Sequence, residues 1–397
     1  MTNTDLKIQV QKASQLSAAK TLNFIQKQKN AKLIILHSSL KDDKKLEQYI
    51  KELNKRNETP LIGLKVSGTY TKGNYYEDAA VIGVLCGNME VEVHQTKINY
   101  ENPDETAEAI NQNIGKLVTT TLLVYTSVYM YNLIKIDNIL RKINEKHPSN
   151  KIGGANSIPE PRIFTNSGIF KDSIASAVIR NIKSTQSLET GLDFKTDSRE
   201  YIITKSDTEH IYEIDNQNAV DVYCQITSAR PWFIKMFVKL VEKVDISKIA
   251  GKMANANQIL YNSIKKTLGG GLGRKIRTGT VCPLSPMILD DEKKIFTAEA
   301  YIPIGTKLKW LFFTKDSILN AYDKIVEKTK NAKVVIGHSC EFRRFLYNFD
   351  EIESTKRIKI KNPYMISYAY GEIGIPHLYK KEDSLVHIWT VKTLAMS

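Results

Sequence analysis

Residues 31–39, AKLIILHSS, form a short apolar run that ends in polar side chains, the pattern of a short strand. The next segment, KKLEQYIKELNKR, spaces Leu46, Ile50 and Leu53 as one face of a helix. A second strand (PLIGLKVSG), a glycine-bearing loop (TYTKGNYYED) and a third strand (AAVIGVLCG) follow. The same order returns at TTLLVYTS, with the helix NLIKIDNILRKINEK, the strand KIGGAN and the pair RIFTNSGIFKDSIASAVI. It returns a third time at AKVVIGHSC, with RRFLYNFDEIESTKRI and then YMISYAYGEIGIPHLYKKEDSLVHIW.

Strand, helix and strand within about 30 residues predict a right-handed parallel crossover, and the third strand is expected to pair antiparallel with the second. The fold class predicted is α/β: repeated β-α-β-β modules forming mixed sheets, arranged in two halves. Ligands of such sheets gather beyond the carboxyl ends of the parallel strands, where HSS, YTS, HSC, VSGT and AYGE all fall. Between the second and third copies, YIITKSDTEHIYEIDNQNAVDVY predicts a strand, a hairpin-like turn at Asp215-Asn216 and a helix start. PWFIKMFVKLVEKV reads as an amphipathic helix, GGGLGRK as a loop, and TVCPLSPMILDD to KLKWLFF as strand-rich.

The chain has 397 residues, 42% hydrophobic and 25% charged, enough for a sizeable globular core. No apolar run reaches a membrane span and the polar N-terminus has no signal pattern, so a cytoplasmic address is expected. The net charge of +14 comes mostly from scattered lysines, which disfavours nucleic acid as a partner. Cys86, Cys224, Cys282 and Cys340 lie far apart with no CxxC pair, so neither a metal site nor a disulfide framework is predicted.

His37 and His338 stand at like positions, and Ser38, Ser127 and Ser339 are read as opening strand-to-helix turns, where helix capping accounts for them. Cys340 with His338 lacks the third group a nucleophile needs, so a buried thiol is favoured. TLGGGLGRK lacks the Gly-Lys-Ser/Thr of a phosphate loop and reads as a linker. Lys235, Lys239 and Lys243 read as a solvated helix face.

These motifs, in this order, resemble those of the FIST family, whose members carry paired FIST N and FIST C domains. YEIDNQNAVDVY resembles the family's YELDGxPALDVY, and YMISYAYGEIG its Tyr-Gly-Glu-Ile motif. HSCEFRRFL is similar to its Ser-Cys-x-x-Arg stretch, and YIPIGTKLKWLFF to its Pro-x-Gly-Thr segment. PLIGLKVSG with Gly73, and KIGGAN with IFTNSGIF, are similar to its N-half glycine elements. The chain departs from the pattern where Gly68-Thr69 replaces a Gly-Glu, at Ile366, and within YKKEDSLV.

The resemblance implies a sensory protein that binds a small polar metabolite, possible amino-acid-like compounds included; members are often fused to signalling outputs, but no room for such a domain is expected in this chain, and neither a cofactor nor a metal is expected. A separate signalling protein is the implied partner. It divides the chain into a helical extension (1–21), a FIST N-like domain of two modules (22–217), a FIST C-like domain (218–391) and a tail (392–397). Glu372 would meet a ligand cation, Arg343 or Arg344 a carboxylate, and the backbone at Gly68, Gly154 and Gly371 would approach closely. Thr69, Tyr370, His37, His338 and Cys340 complete the candidate set. The alternatives are a hydrolase or transferase using Cys340 or Glu372, an interaction scaffold, and a basic nucleic-acid-binding protein.

Overall fold

A computed structural model describes residues 4–115, 120–129, 132–157, 160–194, 198–207, 210–227, 230, 232, 270–275, 281–283, 287–288, 296–297, 302–341, 343, 360–374, 386–387 and 390–397. The chain is α/β, as its pattern predicts. The first module comprises β1 (Asp5–Lys12), α1 (Ala18–Gln26), β2 (Ala31–Ser38), α2 (Asp43–Asn54), β3 (Leu61–Lys65), the hairpin β4 (Gly68–Thr71) and β5 (Asn74–Tyr76), and β6 (Ala79–Cys86). After β7 (Glu90–Lys97) and α3 (Pro103–Ile114), the second module runs through β8 (Thr121–Thr126), α4 (Leu133–Lys146), β9 (Lys151–Asn156), the hairpin β10 (Ile163–Thr165) and β11 (Gly168–Phe170), and β12 (Ser173–Arg180).

The intervening region holds β13 (Ser184–Glu189), β14 (Leu192–Phe194), β15 (Tyr201–Ser206), β16 (His210–Ile214), β17 (Gln217–Asn218) and α5 (Ala219–Thr227). It continues with β18 (Gly270–Lys275), β19 (Val281–Pro283), β20 (Met287–Ile288), β21 (Phe296–Thr297), β22 (Lys307–Phe313) and α6 (Lys315–Thr329). The third module has β23 (Val334–Cys340), β24 (Tyr364–Gly374), β25 (Val386–His387) and β26 (Val391–Met396).

Each module keeps one plan. Its opening strand runs parallel to the crossover strand (β2 with β3, β8 with β9, β23 with β24). The closing strand pairs antiparallel with the opening strand, not with the crossover strand as expected (β6 with β2, β12 with β8, β26 with β23). The free edge of the crossover strand is taken by another module instead. The second module's hairpin adds to β3, the first module's adds to β24, and the far end of β24 adds to β9. Every module therefore lends its hairpin to the next in a closed ring of three, a pseudo-threefold exchange.

Two sheets result, ordered β1-β6-β2-β3-β10-β11 and β13-β26-β23-β24-β9-β8-β12-β7. They stack on a shared core that includes Leu33, Ile35, Leu64 and Ile163 from the first and Leu123, Ala155, Ile336 and Leu394 from the second. The first sheet's outer face buries α1 and α2 through Leu22, Leu46, Ile50 and Leu53. The second buries α3, α4 and α6 through Ile110, Ile136, Ile143 and Ile325. The helices thus lie outside and the sheets inside, because each strand carries apolar side chains on both faces.

A third sheet, β19-β18-β22-β15-β16-β21-β20, forms around Ile203, Ile214, Leu272 and Leu308 with α5. The turn between β16 and β17 is a two-residue one with Asp215 at φ 51 and Asn216 at φ 59, the positive values that hairpin turns select.

Several expectations change. Residues 5–12 are not a helical extension but a strand paired with β6, because Leu6 and Ile8 are buried against the shared core. Residues 392–396 are not a tail: they run inside β26 between β13 and β23. Gly270–Lys275 is a strand paired with β22, not a linker, and buries Leu272. Lys235, Lys239 and Lys243 lie outside the described residues.

Candidate functional site

The register fixes which residues are equivalent in the three modules. On the opening strands, His37 faces Leu64, Tyr125 faces Ala155, and His338 faces Ser367. Those same crossover residues receive the borrowed hairpins through Ile163, Glu372 and Thr69 respectively. On the other side the three opening residues meet Val81, Ala175 and Lys392. Partners in a ladder share a sheet face, so these residues form one layer in the core between the sheets.

At its centre His37, Tyr125 and His338 form a triangle, with ring centroids 5.4 to 5.7 Å apart. All three are buried. His37 Nε2 lies 2.8 Å from the Tyr125 hydroxyl, and His338 Nδ1 lies 2.7 Å from Ser367 Oγ. Burial holds the His37 imidazole neutral, with its pKa lowered to about 3, and lowers His338 well below its ordinary value, helped by His37 and Lys392 nearby. His37 and His338 therefore come together as neutral core groups rather than as solvent-facing ligands.

Glu372 lies in the same layer and is fully buried. Its Oε2 accepts from the Thr390 amide (3.3 Å) and the Thr390 hydroxyl (2.9 Å). Burial raises its pKa to about 8 against the opposing pull of the Thr390 bonds and the Lys392 charge. Gly371, at φ 67, is the extra residue of a bulge between Tyr370, opposite Asn156, and Glu372, opposite Ala155. A left-handed bulge residue favours glycine, so Gly371 is what lets one continuous strand leave β23 and join β9.

The serines do other work than the helix capping expected of them. Asp42, not Ser38, caps α2 by accepting from the Lys45 amide. The copy-two equivalent of His37 is Tyr125, which places Ser127 with Ser39 and Cys340. Ser39 Oγ bonds the Ala79 amide and carbonyl, and Ser127 Oγ does the same at Ser173. Each hydroxyl ties an opening strand to its closing strand. In the third module Cys340 keeps the backbone bond to the Thr390 carbonyl, and the Thr390 amide turns to Glu372 instead.

The remaining candidates separate. Gly68 and Thr69 lie on β4 against Tyr368 and Ser367, with the Tyr75 hydroxyl packed over Gly68. Gly154 packs against the neighbouring strand: a Cβ there would sit 1.7 Å from the Val124 carbonyl oxygen. Cys340 is buried. Arg343, expected to meet a ligand carboxylate, is fully buried on the helix side, donating to the Thr190 carbonyl (3.2 Å) and stacked over Tyr322. Arg344 lies outside the described residues.

Two groups escaped the sequence reading. Glu341 is buried and accepts from the Ser67 hydroxyl, across the junction of the first and third modules. Lys392 is buried where the other modules have Val81 and Ala175, and its ammonium donates to the Gly374 carbonyl (3.0 Å). The sequence signal for both was present, as a charge inside an apolar strand run, but it became visible only once the copies were in register.

Within this layer, four buried polar atoms have no hydrogen-bond partner: His37 Nδ1, His338 Nε2, Thr69 Oγ1 and Glu372 Oε1. They come from the first and third modules. No helix among the described residues is long and apolar enough to cross a membrane. No curated protein matches the chain. Residues 32–217, which run from β2 to the start of β17, match the family model of the FIST N domain, and this match supports FIST family membership.

Proposed function

We propose that this protein is a sensory receptor for a small polar metabolite, whose cationic group meets Glu372, and that it signals to a separate partner protein. FIST domains are sensory ligand-binding domains of signalling proteins, and residues 32–217 match that domain. The third module, within the FIST C-like half, supplies Glu372.

The observation that carries this reading is Glu372 Oε1, which is buried without a partner in a row that holds three more unpartnered polar atoms. A buried acceptor left unsatisfied costs about 1–3 kcal/mol, and a charge-assisted bond from a ligand ammonium would offset it. Binding a cation would also drive off the proton that the carboxyl holds below about pH 8. The bonds to Thr390 favour a second reading, in which Glu372 is a strand tether and nothing more.

Glu372→Gln separates the two, because the amide oxygen still accepts from Thr390 while the charge is gone. Thermal unfolding against a panel of amine-bearing metabolites is the test. The proposal expects a compound that stabilises the parent protein and leaves Glu372→Gln unmoved. Equal stabilisation of both by every active compound would leave only the tether.

A further inference from the structure

The second sheet leaves a long edge strand open, and we propose that this strand, β7, pairs antiparallel with β7 of a second copy. Two chains would then form a symmetric dimer through one continuous sheet. The inference does not rest on the reading of Glu372. Among the described residues, β7 (Glu90–Lys97) is bonded on one side alone, to β12. An unpaired edge strand of eight residues presents a row of backbone donors and acceptors that another strand can complete. Other edges are closed or short. On β1 the Ile8 carbonyl accepts from Lys72 (2.9 Å), and β11 has three residues. The one charge on β13, Glu189, is paired with Lys328 of α6.

The ladder with β12 fixes where the side chains of β7 point. Glu92 stands opposite Val178, which belongs to the helix-side core. Glu90, His94 and Thr96 share that outer face, because successive strand residues alternate. Glu92 is held there by Arg180 (2.7 Å). Val91 and Val93 stand opposite Ile179 and Ala177 on the inner face, and are only partly buried against the core between the sheets. The outer row is acidic at its start, Glu90 and Glu92, and offers donors at its end, His94 and Thr96. Turned end for end, it complements itself.

Symmetry then selects the register. Opposed residues of a ladder share a face, so a twofold axis between two copies of one strand passes through a residue and not between two. An axis through Glu92 would oppose glutamate to glutamate, and one through Val91 would oppose Glu90 to Glu92. An axis through His94 would face imidazole with imidazole. An axis through Val93 sets Glu92 opposite the partner's His94 and Glu90 opposite the partner's Thr96, each twice. A carboxylate meets a donor at every outer position, where opposed unlike groups stabilise a sheet and like charges destabilise it. On the inner face the same axis sets Val93 against the partner's Val93 and Val91 against the partner's Gln95, which covers the half-buried valines.

The test is sedimentation velocity of the full chain across a dilution series. The parent should approach twice the mass of one chain at the concentrated end. His94→Glu sets carboxylate against carboxylate at both symmetric positions and should weaken association by about tenfold, with the circular dichroism of the parent retained. Register is read by two further variants. Val93→Cys should form a disulfide-linked dimer on mild oxidation, because the two cysteines would face each other across the axis, whereas Gln95→Cys should not. If His94→Glu does not fold, the two cysteine variants decide. A single-chain mass throughout would overturn the proposal. So would a dimer that His94→Glu leaves unweakened, or one that Val93→Cys fails to link.

Discussion

Glu372 holds Thr390 by both its amide and its hydroxyl, at 3.3 and 2.9 Å, and so does in the third module what a serine hydroxyl does in the other two. Ser39 and Ser127 reach their closing strands directly. Cys340 stands in the serine position of the third module, and the tether has passed to a carboxylate carried by a different strand. That carboxylate has one oxygen more than the tether uses, and the spare oxygen is what makes Glu372 more than a replacement.

The two functions of Glu372 should come apart on substitution. Glu372→Gln preserves an acceptor for Thr390 and should unfold within about 1 kcal/mol of the parent protein. Glu372→Ala strands the buried Thr390 amide and hydroxyl and should cost about 2–4 kcal/mol. Urea unfolding of the three proteins gives the comparison.

The raised carboxyl has a signature in pH. Its ordinary value is 4.5 and its folded value about 8, so between these the folded protein holds the extra proton and stability falls as pH rises. From pH 6.5 to 8 the parent should lose roughly 2 kcal/mol relative to Glu372→Gln. His37 acts in the opposite sense: its folded value of about 3 against 6.5 keeps its contribution intact above about 6.5 and loses it as pH falls. Unfolding free energies across pH 5 to 8.5 should therefore stay nearly level in the parent up to about pH 6, where the two slopes cancel, and decline above it, with the alkaline decline reduced in Glu372→Gln.

The triangle at the module junction predicts a cost for a single oxygen. Tyr125→Phe removes the partner of His37 Nε2, while His37 Nδ1 is already without one. Both nitrogens would then be buried unpaired, at a cost of about 1–3 kcal/mol. Chemical denaturation of Tyr125→Phe against the parent checks this.

The order of elements was legible because each strand run and helix stripe carries its own period. Leu46, Ile50 and Leu53 are core residues of α2 as the spacing requires. The exchange of hairpins was not legible. The arms involved are three or four residues long, and Thr69 pairs with Ser367, about 300 positions away, which no local pattern encodes. That exchange is also why the closing strand pairs with the opening strand. Nor is the register of the second copy legible, because Tyr125 stands where the other two have histidine. The local sequence does not say which way Arg343 faces: an arginine after a strand end is compatible with a ligand clamp, and the positions of Thr190 and Tyr322 show it facing the helix layer.

Gly371 tests how tightly the bulge fixes Glu372. Gly371→Ala places a Cβ on a residue at φ 67, costing about 1–2 kcal/mol, and should shift the carboxylate off Thr390. The carboxyl resonance of Glu372, followed by NMR titration, should then titrate closer to 4.5 than to 8.

Native mass spectrometry of freshly purified parent and Glu372→Gln proteins tests the central claim most directly. The account predicts a discrete small mass, lost on denaturation, that travels with the parent and is absent from the variant. The same mass retained undiminished by Glu372→Gln would contradict it.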